Sequence, residues 1–590
     1  MASSLLRSGA LLAAMAMVVA CATESAEASA DDDGVSADEI NKFTTKVDTS
    51  LPDVDAMGYA VDLKIDESKG ARKEGYTADV TGTYVATRDL TELTLDLTSA
   101  NKVSSASVNG ARVAFRQEGD KISLPAKVAK GKTFTTRIQY TGSVTQADGS
   151  DPNDFNAFGG LMVRQKNSDG KRIYTSLDWP SKARRWLPLR DHPSDGAMLT
   201  IKATFPKAFT VVANGKKVST TDNTDGTRTW RYEALTPMPT YDFHVAAYED
   251  WKVDESKSVS GIPVTTYTYS KDHTKQQKIF GDLGKAMDFY EKTFGKYRWG
   301  TASFIEEPIF GGGMEHASVV SMDETLFPDP AGAREVAFHE LGHHWSGNLV
   351  RIRTWNDFWL SEGFTEYLTA RALGAADGPE AEKAHRRGYL RDALGADRSS
   401  PHALRPADPE KDVLEIFDAI SYQKGALVLH LLERAVGGPE KMSAFLKGWF
   451  EKHAFEAVST RDLEKELSQA AGKDLGPIFA GFVYAPGHPE VKVSFAAAGA
   501  SDVDVTVEQL QSGNTSYVFP LDLDFVDAAG AKERVAIDVD GKKITKRVKV
   551  SRAPKSMVAD PDEYLVGTLA CDAQNACKTG YRCSASRCVP

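Results

Sequence analysis

VAFHELGHHWSGNLVRIRTWNDFWLSEGFTE, residues 336 to 366, predicts two helices joined by a short connection, and between them a complete metal site. His339 and His343 are four residues apart, so on a helix both imidazoles leave from one face and can grip a single ion. A catalytic zinc takes three protein ligands and keeps a fourth position for water, so one more donor is needed. Glu362 supplies it: the eighteen residues from 344 to 361 leave room for the end of one helix, a turn and the start of the next. Glu340, between the histidines, faces the activated water rather than the ion and is placed to take its proton. Glu366, one turn beyond Glu362, is positioned to accept the remaining N–H of a ligating histidine. Asp329-Pro330 is a helix opening, with an N-cap and a first-turn proline, and Gly347-Asn348 a helix end. With 12 histidines in the chain, a chance His-Glu-x-x-His arises on the order of once in a hundred such sequences.

Two further stretches extend the pattern. Gly312-Gly313-Met314-Glu315-His316 lies upstream, and Tyr422-Gln423-Lys424-Gly425-Ala426-Leu427 downstream. Together with HELGH and SEGFTEY they resemble, in the same order, the gluzincin zinc aminopeptidases of the aminopeptidase N family. The resemblance implies one Zn2+ and a thermolysin-like α/β catalytic domain preceded by a large β domain. It implies that Gly312, Gly313 and Met314 form an edge strand along which a peptide lies, and that Glu315 pairs with the peptide's free amine. It also implies that the Tyr422 hydroxyl donates to the developing oxyanion. Two departures from the family pattern stand out. His316 replaces the family's asparagine, and where the family offers a second carboxylate or amide to the amine this chain has Trp179, with Asp178 beside it.

The remaining chain fits a multidomain α+β protein. At 590 residues it holds about three to five domains. Its 41% hydrophobic and 26% charged content is that of an ordinary globular protein. A net charge of −11 with no long basic run argues against a nucleic-acid partner. Residues 1 to 21 read as an export signal: Arg7, an apolar run from Leu11 to Ala20, and Val18-Val19-Ala20-Cys21, which resembles a bacterial lipobox. Cleavage before Cys21 and lipidation of its thiol would make a cell-envelope lipoprotein. Ordinary secretion, with cleavage near Ala28-Ser29-Ala30, is the alternative. An acidic tether follows over 22–42.

Period-two alternation at Tyr59, Val61, Leu63 and Ile65, and at Leu93, Leu95 and Leu97, predicts an antiparallel β domain over 43–255, with hairpin signals at Asn109-Gly110 and Asn214-Gly215. Helical spacing of Ile279, Leu283, Met287 and Tyr290 marks the catalytic domain, 256–489. A helix is expected over 420–436, ending at Gly437-Gly438, with His430 packing inside it. Alternation returns over 490–568 as a small β-sandwich, with no long helical array after it. In 569–590, Cys571, Cys577, Cys583 and Cys588 predict two disulfides in one of three pairings. The functional expectation is an aminopeptidase acting on peptides with a free N-terminus. A thermolysin-like endopeptidase, an epoxide hydrolase of the wider family and an inactive zinc-containing binding module are the rivals.

Overall fold

The computed structural model describes residues 47–67, 74–148, 158–499, 501–571 and 577–590. The export signal, Cys21 and the tether lie outside these residues.

The N-terminal half is built on an eight-stranded sheet. Its strand Val54–Asp66 alternates as expected over its second half, with Leu63 and Ile65 buried and Lys64 exposed; its first half is buried on both faces. Leu93 and Leu95 pair across a smaller sheet with Leu124 and Ile122. Among the described residues, two pairings differ from the antiparallel expectation: Val54–Asp66 runs parallel to Gly196–Pro206, from Gly58 opposite Met198 to Lys64 opposite Thr204, and the short strand Thr145–Gln146 runs parallel to Gly160–Arg164. A period of two is the same in both senses, so alternation cannot tell them apart. Asn109 and Gly110, both at positive φ, close a hairpin between Val108 and Ala111. Asn214-Gly215 does something else. It joins strands of two different sheets, Thr210–Ala213 and Lys216–Asp222, and the Asn214 side chain is buried.

The catalytic part begins with a five-stranded mixed sheet of β1 (Lys252–Lys257), β2 (Pro263–Thr268), β3 (Ala302–Glu307), β4 (Gly313–Met314) and β5 (Val319–Asp323), in the order β1-β2-β3-β5-β4. The domain boundary expected at 256 therefore falls within β1. Strand β4 is the sheet's edge, antiparallel to β5 through Met314 and Ser321. Helix α1 (Leu283–Phe294) buries Leu283, Met287 and Tyr290. Helix α2 (Pro330–His343) opens as its sequence implies: the Asp329 carboxylate accepts from Ala331 N–H at 3.2 Å and Pro330 is the first helical residue. Helices α3 (Trp359–Asp377) and α4 (Pro379–Ser399) follow.

The expected helix over 420–436 is in two parts. Ile420–Lys424 is a π-helical turn, and only Gly425–Val436 is the α-helix, α5, ending at Gly437 in the left-handed region. Apolar spacing alone does not register one inserted residue in a helix's first turn.

Beyond residue 490 the described elements are all strands, in a six-stranded and a three-stranded sheet. The cysteine-rich tail is continuous with the first. Its strands Arg587–Val589 and Arg582–Ser584 extend that sheet through Thr568–Ala570, and the disulfides are Cys571–Cys583 and Cys577–Cys588. Among the described residues no helix is long and apolar enough to cross a membrane.

Candidate active site

Helices α2 and α3 bring the three expected metal donors together. His339 Nε2 and His343 Nε2 lie 3.0 Å apart, and Glu362 Oε2, from the first turn of α3, is 3.1 Å from the second and 3.4 Å from the first. His343 Nδ1 is 3.0 Å from the Ser346 carbonyl, which can only accept, so Nδ1 carries a hydrogen and Nε2 is the nitrogen left to meet an ion once its own proton is released. Thr365 and Ser361 hydroxyls at 3.1 and 3.3 Å hold the same ring. Bonds of about 2.0–2.1 Å to one tetrahedral ion put donors roughly 3.3 Å apart, so the set fits zinc.

The electrostatics point the same way. Burial works against the Glu362 charge, but His343 and His339 outweigh it and hold the carboxyl down at about 2. Burial likewise opposes a charged His343, yet Glu362 and Glu315 raise it to about 9. A pocket that draws protons onto buried imidazoles this strongly attracts a dication for the same reason. Glu366 Oε1 lies 3.8 Å from His339 Nδ1 and accepts a hydrogen bond from Gln423 Nε2 at 3.1 Å.

Glu340 is buried beside this set, and burial, only partly offset by His339 and His343, pushes its carboxyl up to about 8. It lies directly against β4: a Cβ on Gly313 would stand 2.3 Å from Glu340 Oε1. Glycine at 313 is what lets the Glu340 side chain approach this close. Glu315, just past β4, is buried, and one donor atom each of Glu315, Glu340 and His343 lie within 4.8 Å of one another.

Glu315 is braced by residues to which the sequence reading gave no part in the site. Asn348 Nδ2 donates to its carbonyl at 2.7 Å, and Tyr241 of the N-terminal domain lies against its carboxylate. Asn214 Nδ2 donates to the carbonyls of Asp242 and Ala317, both at 2.9 Å, joining the two domains beside this loop. Asn348 was marked in the sequence only as part of a helix end and Asn214 only as part of a turn signal. Tyr241 carried no local signal, and the role of all three here is set by tertiary contact.

Tyr422 packs its ring face to face with His339 at 6.2 Å and edge-on to Phe417 and Phe358. Tyr422, His339 and Phe417, with Gly312, Met314, Trp179 and Phe310, line a cleft of about 540 Å³.

Of the departures from the family pattern, Asp178 and His316 fall outside the cleft and Trp179 lines it. Asp178 is buried and accepts the Trp186 indole N–H at 2.9 Å, so it does not serve the amine; Trp179 faces the cleft and packs 5.1 Å from Phe417. His316 turns away to stack on His244 at 4.1 Å, with its Nδ1 2.8 Å from Ser321 Oγ. His430 stacks on Tyr564, a packing role.

A family model described as the peptidase M1 N-terminal domain matches residues 57–241, and one described as the peptidase family M1 domain matches 280–482. The chain belongs to peptidase family M1. A probable aminopeptidase 1 of Saccharolobus solfataricus is 26% identical over 469 residues, covering 76% of this chain and 57% of that protein. Leukotriene A-4 hydrolase of Xenopus laevis is 27% identical over 427 residues, 69% of this chain and 67% of its own length. Aminopeptidase A of Legionella pneumophila, solved in complex with aspartic acid, shares the fold at a TM-score of 0.73 and 17% identity, over 88% of this chain and 60% of that one. The chain thus spans little more than half the length of the archaeal relative.

Proposed function

We propose that this protein is a zinc-dependent aminopeptidase that removes the first residue from peptides. The observation that carries the reading is the closeness of Glu315 to His343, one of the metal donors, and to Glu340, one donor atom of each lying within 4.8 Å of the others. In any amino acid the α-nitrogen and the carbonyl carbon are roughly 2.5 Å apart. A carboxylate this close to the donor set therefore leaves space for one residue between a bound amine and the bond to be cut.

His339, His343 and Glu362 would hold the ion. Zinc, when bound there, supplies a Lewis acid for a carbonyl oxygen and makes water acidic enough to ionise near neutrality. Glu340 is the base that takes the proton from the attacking water and returns it to the departing amine. Tyr422 offers its hydroxyl to the oxygen on which negative charge develops. Glu315 fixes the cationic amine, and the unpaired edge of β4 offers backbone groups along which the peptide extends.

The test is a panel of fluorogenic amino-acid amides and a matched pair of peptides, one with its amine acetylated. The free-amine substrates should be cleaved, chelation should stop cleavage, and acetylation should abolish it. Efficient internal cutting of the blocked peptide would identify an endopeptidase instead. Cleavage of none of them, with metal bound, would leave a binding module.

We also propose export with a lipid anchor at Cys21. The reading rests on the lipobox-like segment, and two disulfides in the tail suit an oxidising compartment. Radiolabelled palmitate should enter the wild type and not Cys21→Ser; equal labelling would refute it.

A further inference from the structure

The turn that carries Tyr422 is π-helical: Lys424 N–H reaches back five residues to the Ala419 carbonyl at 3.0 Å. Such insertions are intrinsically unfavourable and need support from around them. Here the support is complete on every side but one. Asp418 Oδ1 accepts from Ile420 N–H at 2.8 Å, Ser421 Oγ donates to the Ile416 carbonyl at 2.7 Å, and Gln423 Nε2 donates to Glu366. Tyr422 alone is given to the cleft.

Lys424 closes the turn. Its ammonium is buried and donates to Asp397 Oδ1 at 2.9 Å, to Asp397 Oδ2 at 3.1 Å and to the Gly487 carbonyl at 2.7 Å, while His488 Nδ1 lies 2.8 Å from the same carboxylate. Asp397 belongs to α4, and Gly487-His488 is where the chain leaves for the β-sandwich. A buried ion pair is a poor source of stability, since desolvating two charges offsets most of their attraction and apolar replacements do as well. What it supplies is geometry.

We propose that Lys424 is a positioning residue for catalysis: through Asp397 and the Gly487 carbonyl it locks the π-turn so that the Tyr422 hydroxyl stays aimed into the cleft. This rests on the oxyanion role given to Tyr422 above.

A double-mutant cycle on the full chain tests it. Tyr422→Phe should lower kcat by about 10²–10³-fold. Lys424→Met should lower kcat at least roughly tenfold with KM within about twofold, and the double variant should be no slower than Tyr422→Phe, because both changes remove one interaction. Lys424→Met kcat within twofold of wild type, or losses that multiply in the double variant, would overturn the proposal. Lys424→Met strands Asp397 and can fail to fold, so Asp397→Leu/Lys424→Met is measured beside it. That pair should keep the wild-type melting temperature and remain slow; if it turns over at the wild-type rate, Lys424 positions nothing. A Tyr422→Phe variant as fast as wild type removes the oxyanion reading itself, an outcome separable from a failure confined to Lys424.

Discussion

Glu340 has two neighbours that pull in opposite directions, a cluster of carboxylates and a pair of imidazoles, and its role as base depends on the balance. Glu340→Gln keeps the shape of the side chain and should retain one zinc per chain while lowering kcat by about 10²–10⁴-fold, as judged by metal analysis and steady-state rates. The histidines give a second outcome. Because the surrounding carboxylates hold His343 protonated up to about 9 in the metal-free protein, binding an ion must release protons. Zinc affinity, measured by chelator competition, should therefore rise steadily from pH 6 to 9. A flat profile would mean that the imidazoles are already neutral. These ligands were legible because a four-residue helical spacing fixes direction without knowledge of the fold. Asn348, Tyr241 and Asn214 were not, since nothing in their local sequence says which carbonyl or carboxylate they meet.

At the level of elements, α3 meets the start of α5 just after the π-turn backbone against backbone, where a Cβ on Gly363 would lie 2.8 Å from the Gly425 Cα. Gly363→Ala should cost about 1–3 kcal/mol of stability, and because Glu362 and the Tyr422 turn flank the contact it should depress kcat more than KM. Strand β3 carries a different constraint at its end. Burial, opposed by hydrogen bonds from Ser321 and Thr175, pushes the Glu307 carboxyl up to about 7 at the contact with the N-terminal domain. Its folded value lies above its unfolded one, so the stabilisation is complete below about pH 4 and is lost as pH rises through 7. It amounts to about 3 kcal/mol. Thermal unfolding between pH 5 and 8 should show that loss, and Glu307→Gln should flatten it. The apolar periodicities in the sequence located α1 and the C-terminal sheets, because burial imposes them, while α2 was marked by its histidine spacing and its Asp329-Pro330 opening. They could not reveal the π-turn or the parallel pairing of Val54–Asp66 with Gly196–Pro206, which leave the periodicity unchanged.

Across the whole molecule, charge is distributed unevenly around the cleft. Glu315, Glu335, Glu340, Glu362, Glu366 and Asp418 line it, and no lysine or arginine does among the described residues. A substrate carboxylate in that space meets no partner of the protein's own. Amides of aspartate and glutamate should accordingly be hydrolysed with a kcat/KM at least roughly tenfold below those of alanine, leucine or arginine, a ranking one substrate panel decides. The Asn214 amide bridging Asp242 and Ala317, and Tyr241 against Glu315, have a consequence for ancestry as well. On the proposed reading, the floor of the amine pocket is held by side chains encoded about a hundred residues upstream of the helices with the metal donors, so a gene fragment carrying only that half would inherit the hydrolytic chemistry without the seat proposed to restrict it to chain ends. The two halves are expected to have been passed on together, and recombination between them to be punished first as relaxed choice of cutting site.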